Sequence, residues 1–124
     1  MIALDTSSLA AFLEGLAGRD VEAVDRALAD GVGVLPPVVL SELLSNPRLT
    51  ETAGEVFRGL PLLPVVDGFW DRAGLLRRRI LAKQRRARLA HTLIAQACLD
   101  ADVPLVTRDP DFRHFAAEGG LKLL

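Results

Sequence analysis

The sequence predicts an α/β protein with three layers, in which helices cover both faces of a mainly parallel sheet. Short apolar runs alternate with segments of helical periodicity along the chain, and this alternation is typical of parallel strands joined by helices. Half of the 124 residues are hydrophobic but only 5% are aromatic, so we expect an aliphatic core with strands buried on both faces. This length fits one compact domain, predicted over residues 1–124.

The N-terminal half contains two predicted strands and four predicted helices. Thr6, Ser7 and Ser8 each offer a hydroxyl that caps a helix start. Gly31 suits the end of the second helix, and Pro37 suits the first turn of the third. The expected elements are a strand at 1–5, helices at 8–16 and 20–30, a strand at 31–35, and helices at 38–45 and 50–60.

The C-terminal half continues the alternation. Pro64 interrupts one apolar run, which makes it an edge strand or a short one. The long helix that follows carries a stripe predicted to be buried: Phe69, Ala73, Leu76, Ile80 and Lys83. The expected elements are a strand at 61–66, helices at 69–86 and 89–101, a strand at 103–107, a helical turn at 109–116 and a strand at 121–124.

The composition excludes several classes of protein. Cys98 is the one cysteine, so no disulfide framework exists, and we expect this side chain in the core. No apolar run approaches the roughly 18–20 residues of a membrane span, and the N-terminus lacks the pattern of a signal peptide. We therefore expect a cytoplasmic protein without membrane contact.

Basic residues are concentrated between residues 72 and 88, where no acidic residue occurs, although the net charge of the chain is −1. Charge segregated in this way suits a polyanion. A solvated helix face is the alternative interpretation. The candidate contacts to a polyanion are the arginines of this stretch: Arg77, Arg78, Arg79, Arg85, Arg86 and Arg88.

Three acidic residues are candidates for a metal site. Asp5 ends the first predicted strand and Asp109 follows a late one, and ligands of parallel sheets bind at these carboxyl ends. Glu42 lies among aliphatic residues without a basic residue within one helical turn. If the three carboxylates converge, their like charges require a cation, and oxygen ligands favour Mg²⁺ or Mn²⁺. A metal held in this way activates water and stabilises charge on a phosphodiester. Taken singly, each of these acids also has an alternative structural role, as a helix cap or as a contact with solvent.

Three segments together resemble a PIN domain, and more narrowly the VapC toxins of toxin–antitoxin pairs. They are "MIALDTSSLAAFL", "VLPPVVLSELL" and "LAHTLIAQACLDADVPLVTRDPDF". The resemblance runs nearly from end to end, although residues 49–88 match only by pattern. It implies an endoribonuclease dependent on Mg²⁺ or Mn²⁺. Asp5, Glu42 and Asp109 correspond to the first, second and fourth acids of that family.

The resemblance also implies supporting residues and partners. Thr6 or Ser7 corresponds to a small hydroxyl residue of the site, and Thr107 to the hydroxyl before the last acid. Asp111 is a further candidate near the metal, with helix capping as the alternative. The implied partners are RNA, a small VapB-like antitoxin that inserts a basic group into the acidic pocket, and a second copy of the chain.

The third acid of the family is absent, since His91 stands at its position. This histidine is counted among the catalytic candidates. Three interpretations of His91 are open. As a metal ligand it would favour softer ions than Mg²⁺. Alternatively it acts as a general base or phosphate contact, or its presence in place of the acid removes metal binding.

Two alternatives to a nuclease remain at this stage. A PIN-like protein without catalysis would bind RNA or an antitoxin. A receiver-type signalling domain is a remote alternative, because it requires paired acids after the first strand and only Asp5 is found there.

Overall fold

The computed structural model describes residues 1–124, and its helices and strands alternate as predicted. The chain forms seven helices and three strands, with one 3₁₀ turn before the last helix. Their bounds are β1 (Ile2–Leu4), α1 (Thr6–Leu13), α2 (Arg19–Ala29), β2 (Gly33–Val34), α3 (Pro37–Leu44), α4 (Glu51–Arg58), α5 (Phe69–Ala82), α6 (Leu89–Ala101), β3 (Leu105–Val106), the 3₁₀ turn (Pro110–Phe112) and α7 (Arg113–Gly119).

The sheet is parallel, with β1 between its two neighbours in the order β2-β1-β3. Ala3 of β1 is in register with Val34 on one side and with Leu105 on the other. Together with its helices the sheet forms the three-layer α/β/α fold, as predicted. Asp5 directly follows the central strand and therefore stands at the carboxyl edge of the sheet.

Two predicted strands were wrong in extent. Residues 61–66 pair with the sheet only at Leu62, and residues 121–124 only at Leu123. Pro61 and Pro64 lack the amide hydrogens that a ladder requires, which limits pairing in the first segment. The second segment lies at the chain end, where a single bridge to Leu105 remains.

The long helix was predicted to extend to residue 86, which is too far towards the C-terminus. It ends at Ala82, and Gln84 has a left-handed backbone with a φ of 59°. Lys83 was expected on the buried stripe, but its side chain is 62% exposed and pairs with Glu118 at 2.9 Å. A charged amine is costly to bury without a partner, so the last position of the stripe turns to solvent instead.

The core is mainly aliphatic, as predicted, and comprises 25 buried residues. Cys98 belongs to it, and burial raises the pKa of its thiol to about 12, so the thiol is neutral and unreactive. Trp70 is 66% exposed, whereas Phe112 and Phe115 are buried. None of the helices is both long and apolar enough to cross a membrane.

Candidate active site

Asp5 is the most buried acid at the carboxyl edge of the sheet, with 4% of the residue exposed. Its Oδ2 accepts hydrogen bonds from Ser7 Oγ at 2.6 Å and from Thr107 Oγ1 at 2.7 Å. These bonds fix the rotamer of the carboxylate. Oδ1 carries no hydrogen bond and is not sealed from solvent, so one oxygen of Asp5 is available to a ligand.

Glu42 projects from α3 towards the start of α1. Its Oε1 accepts a hydrogen bond from Thr6 Oγ1 at 2.7 Å, and no basic side chain contacts it. Because Thr6 follows Asp5 in the chain, this bond brings the α3 carboxylate to the carboxyl end of β1. A half-buried glutamate with one neutral donor has spare capacity for a cation.

The hydroxyls after β1 do not cap α1, contrary to prediction. Asp5 occupies the N-cap position, and α1 has no side-chain cap. Thr6 binds Glu42, Ser7 binds Asp5, and Ser8 binds Asp20 at 2.8 Å. The three hydroxyls therefore orient carboxylates rather than the backbone of the helix.

Asp109 lies beyond β3 and is connected to Asp5 through Thr107. The Thr107 hydroxyl donates to Asp5 and accepts from the Asp109 amide at 3.0 Å. Asp109 Oδ1 caps the 3₁₀ turn by accepting from the Asp111 amide at 2.9 Å. Helix capping, the alternative role given for Asp111, is therefore performed by the Asp109 side chain.

His91 points into the site from the first turn of α6, with its side chain 14% exposed. Its Nε2 lies 3.1 Å from Asp109 Oδ2, and its ring packs on Phe112 with the centroids 4.7 Å apart. Nδ1 is buried without a partner. A buried lone pair without a donor is less rare than a buried N–H without an acceptor. Of the two neutral tautomers, the one with its proton on Nε2 donates to Asp109 and leaves only a lone pair unpartnered at Nδ1.

The donors of His91, Asp109 and Asp111 form the compact group of the site, since one ligand atom from each lies within 4.8 Å of the others. Asp5 and Glu42 do not belong to this group. They are linked to its surroundings by hydroxyl side chains, Asp5 through Thr107.

A cleft with a volume of about 470 Å³ opens beside Thr6 and Glu42. Its walls come from α1, α3 and α4, and they combine leucine and alanine side chains with Asn46 and Arg48. The acidic edge therefore continues into a groove of mixed polarity.

Asp20 and Arg108 form an ion pair that the sequence did not reveal. Arg108 Nε and Nη2 donate to the two Asp20 oxygens at 2.8 and 2.9 Å, and these bonds lower the pKa of Asp20 to about 2. The Arg108 amide also donates to Ser7 Oγ at 3.2 Å. The pair thereby fixes the segment that carries Thr107 and Asp109.

Gly18 is required at this ion pair. It has a φ of 150°, and an added Cβ would lie 2.6 Å from Asp20 Oδ1 and 2.9 Å from Arg108 Nη2. A side chain at this position would displace the pair. The two partners are 88 residues apart, so no local pattern in the sequence announces their contact.

The six candidate arginines differ in their surroundings. Arg77 Nε donates to the Ala87 carbonyl at 2.7 Å, and Arg88 is the N-cap residue of α6. Arg78 and Arg79 are exposed along α5 and have no acidic partner, and Arg85 is exposed in the α5–α6 connector. Arg86 is the one that reaches the site, with Nη1 3.6 Å from Asp111 Oδ2.

The sequence matches the PIN domain family over residues 2–118, and the chain belongs to that family. This membership displaces the receiver-type alternative. PIN domains are typically metal-dependent nucleases.

Three solved structures share the fold. VapBC-5 from Mycobacterium tuberculosis matches at 21% identity and a TM-score of 0.68, covering 98% of this chain and 95% of that one. VapBC2 from Rickettsia felis, bound to a DNA fragment from the promoter, matches at 19% identity and a TM-score of 0.74, covering 100% of this chain and 98% of that one. FitAcB from Neisseria gonorrhoeae matches at 20% identity and a TM-score of 0.70, covering 100% of this chain and 96% of that one. No curated protein matches the sequence.

Proposed function

We propose that this PIN domain is an endoribonuclease that uses Mg²⁺ or Mn²⁺. One observation carries the proposal: Asp5, Glu42 and Asp109 stand on three elements at one edge of the sheet, tied together by Thr6 and Thr107. No basic side chain pairs with Asp5 or Glu42. An acidic edge without internal cations is suited to a divalent ion.

The chemistry of the donors suits such an ion, although in this structure the ligand atoms of Asp5, Glu42 and Asp109 are not gathered as closely as those of His91, Asp109 and Asp111. Asp5 has one free oxygen, Glu42 has one neutral donor, and Asp109 has an oxygen that only the His91 N–H contacts. We assign the metal to these three carboxylates, with Asp111 as a nearby acid and His91 as the catalytic candidate beside them. When bound, the ion would lower the pKa of its water and offset charge on a phosphodiester.

His91 sets the preference among ions. Imidazole nitrogen binds Mn²⁺, Fe²⁺ or Zn²⁺ better than Mg²⁺, and a neutral ring contributes no charge where the family has a carboxylate. To act as a ligand through Nε2, the ring must carry its proton on the buried Nδ1, which has no acceptor. This requirement disfavours ligation of every ion, but the imidazole nitrogen offsets it better for Mn²⁺ than for Mg²⁺, so we expect weak Mg²⁺ binding and stronger Mn²⁺ binding.

Arg86 is the arginine that we assign to the RNA phosphate at the acids. Its pairing with Asp111 is long, at 3.6 Å, and its side chain is 62% exposed. Such a pair contributes little stability, so a phosphate, which accepts two hydrogen bonds from a guanidinium, replaces it readily. Arg77 holds the connector through Ala87. The exposed Arg78, Arg79, Arg85 and Arg88 supply the weaker, long-range attraction.

The substrate that fits is single-stranded RNA. Glu42 lines a cleft of about 470 Å³, which is too small for a duplex. Duplex recognition uses shape across wide grooves, whereas loops and single strands bring single bonds to a pocket.

We further propose that the protein is the toxin of a VapBC-type pair in the cytoplasm. The support is the fold shared with VapBC-5, a member of a family of toxin–antitoxin systems, with VapBC2 and with FitAcB. Its partners would be a small VapB-like antitoxin, which blocks the acids, and a second copy of the chain.

A second candidate function has its own observation. The His91 Nε2 contact with Asp109 Oδ2 at 3.1 Å occupies an oxygen that a metal would use. In this case the domain has lost catalysis and binds RNA or an antitoxin as a scaffold.

RNA cleavage decides between the two. Wild type is incubated with total RNA in Mg²⁺, in Mn²⁺ and in EDTA, beside Asp5→Asn and the matched control Asp25→Asn, an exposed aspartate of α2. We expect cleavage in Mn²⁺ that EDTA stops and that Asp5→Asn reduces more than about a hundredfold, because losing an outer partner of a ligand already costs 10–100-fold. Equal cleavage by wild type and Asp5→Asn removes the site; no cleavage in either metal supports the scaffold.

A further inference from the structure

The carboxylate of Asp20 joins two segments that reach the acidic edge from opposite ends of the chain. Ser8 Oγ donates to its Oδ2 at 2.8 Å, and Arg108 donates from Nε to Oδ2 at 2.8 Å and from Nη2 to Oδ1 at 2.9 Å. Arg108 Nη2 also donates to the Ala17 carbonyl at 3.1 Å. The Asp20 side chain is only 14% exposed. Its three donors therefore fix the start of α1 relative to the segment after β3.

Each of these two segments carries one hydroxyl donor of Asp5. Ser7 and Thr107 directly precede the two residues that Asp20 anchors. Ser7 Oγ and Thr107 Oγ1 donate to the same oxygen of Asp5, Oδ2, at 2.6 and 2.7 Å, and they lie 3.2 Å from each other. The anchoring carboxylate is therefore one residue away, along each segment, from the groups that orient Asp5.

Two backbone amides of one short segment support both hydroxyls. The Arg108 amide donates to Ser7 Oγ at 3.2 Å, and the Asp109 amide donates to Thr107 Oγ1 at 3.0 Å. A hydroxyl that accepts from an amide and donates to a carboxylate belongs to a chain of hydrogen bonds that strengthen one another. A shift of residues 108–109 would therefore loosen both donors of Asp5 at once.

The ion pair can act on Asp5 only through position. Its hydrogen bonds share no atom with those of the Asp5 carboxylate. The hydrogen bonds from Arg108 lower the pKa of Asp20 to about 2, so both partners are charged at neutral pH. A guanidinium that donates twice to one carboxylate fixes the geometry of the pair as well as adding energy.

We propose that Asp20 and Arg108 are positioning residues for the divalent ion. The pair holds Ser7 and Thr107 against Asp5 Oδ2, and this keeps the carboxylate in the one orientation in which its free Oδ1 serves the ion. This role rests on the proposed function, since it presupposes a metal at Asp5, and it adds two residues that do not bind the metal themselves. Without the pair, the ion binds more weakly although every carboxylate ligand is still present.

Two variants of opposite charge separate position from electrostatics. Asp20→Asn removes a negative charge and Arg108→Gln a positive one, so a purely electrostatic role predicts weaker Mn²⁺ binding in the first and stronger binding in the second. A positioning role predicts weaker binding in both. We expect a loss of about three- to tenfold, because a direct partner of a ligand is worth roughly 10–100-fold and this pair is one step further away. Electron paramagnetic resonance of free Mn²⁺ measures the affinity without reference to RNA cleavage.

The ion pair of Arg72 and Asp100 offers a matched control. Arg72 Nε and Nη2 donate to the two Asp100 oxygens at 3.0 and 2.7 Å, and Gln96 supplies a third donor at 2.9 Å. Asp100 lies nine residues beyond His91 on α6, about 13 Å along the helix axis. Asp100→Asn should lower the urea-unfolding free energy as Asp20→Asn does, but it should leave the Mn²⁺ affinity unchanged.

Ser8→Ala tests the same role without altering a charge. Ser8 is fully buried, and the variant removes one of the three donors to Asp20 while the ion pair remains. We expect a smaller loss of Mn²⁺ affinity in the same direction, about two- to threefold. This variant decides the question if Arg108→Gln does not fold, which urea unfolding establishes.

Four results overturn the proposal, in distinguishable ways. Mn²⁺ binding that Asp5→Asn abolishes but that Asp20→Asn, Arg108→Gln and Ser8→Ala leave unchanged removes the positioning role and keeps the metal site. Stronger binding in Arg108→Gln assigns the effect to charge. An equal loss in Asp100→Asn assigns it to general stability. A wild type that binds no Mn²⁺ at millimolar concentration overturns the proposed metal site together with this role.

Discussion

At the scale of residues, hydroxyl side chains position the acids of the site. Thr6, Ser7 and Thr107 each donate to a carboxylate oxygen and leave other oxygens free. Partners of this kind fix the orientation of prospective metal ligands without neutralising them. A basic partner would hold the carboxylates equally well, but it would compete with the cation for the same charge.

The first residue-scale prediction concerns His91. Replacement of His91 with Asp adds a negative charge next to Asp109 and removes the Nε2–H contact. We expect Mg²⁺ affinity, measured by calorimetry, to rise about tenfold or more, because a unit charge near a cation is worth several kcal/mol even at an effective dielectric constant of about 20. His114→Asp on α7 is the matched control. An unchanged Mg²⁺ affinity would show that residue 91 points away from the metal.

The second residue-scale prediction concerns pH and Asp20. Arg108 lowers the pKa of this carboxyl to about 2, below its unfolded value near 4. The stabilisation is therefore complete above about pH 4 and is lost as the pH falls towards 2. We expect Asp20→Asn to unfold more easily than wild type at pH 7, with the difference shrinking between pH 4 and pH 2. A difference in urea-unfolding free energy that stays constant over this range contradicts the ion pair.

At the scale of elements, the α5–α6 connector places one arginine at the acids. Arg85 N bonds Ile80 O at 3.2 Å, and Arg77 Nε bonds Ala87 O, so the backbone on both sides of Arg86 is fixed. The buried side chain of Ala87 adds a third attachment. The connector therefore presents Arg86 in a defined place although the guanidinium itself is exposed.

The element-scale prediction follows from that connector. In Asp5→Asn protein, which is not expected to cleave, Arg86→Ala should weaken binding of labelled single-stranded RNA about tenfold at low salt. The slope of log affinity against log salt should fall by about 0.7, the value for one phosphate contact on a single strand. Arg58→Ala, an exposed arginine at the end of α4, should leave both unchanged. Equal effects of the two variants would show that Arg86 contributes only non-specific electrostatic attraction and makes no specific phosphate contact.

The helices were predicted better than the edges of the sheet. Apolar periodicity located α2, α3 and α6 to within a residue or so, because each buries one face in the core. In residues 61–66 and 121–124 only Leu63 and Leu121 are buried in the core, and neither segment forms a ladder. An apolar run therefore establishes neither burial nor pairing, because pairing with a neighbouring strand is decided by residues far away in the sequence.

At the scale of the whole molecule, the positions of Asp5 and Asp109 after strands were predictable from the sequence, whereas their hydrogen-bond connections were not. Asp5 and Asp109 follow apolar strands, and parallel strands put their carboxyl ends at one edge. Thr107 and Asp5 are 102 residues apart, and Arg108 and Asp20 are 88 apart. Contacts at such separations depend on the completed fold, so no local pattern reveals them. The exposure of Trp70 has the same origin, because which face of α5 is covered depends on α6 and α7.

The central claim is that a divalent ion binds among Asp5, Glu42 and Asp109. Crystals soaked in Mn²⁺ test it directly, because the anomalous scattering of manganese locates the ion without reference to activity. We expect one strong peak in contact with the carboxylates of these three residues, with His91 beside it. A peak elsewhere on the surface, or none at millimolar Mn²⁺, would contradict the account.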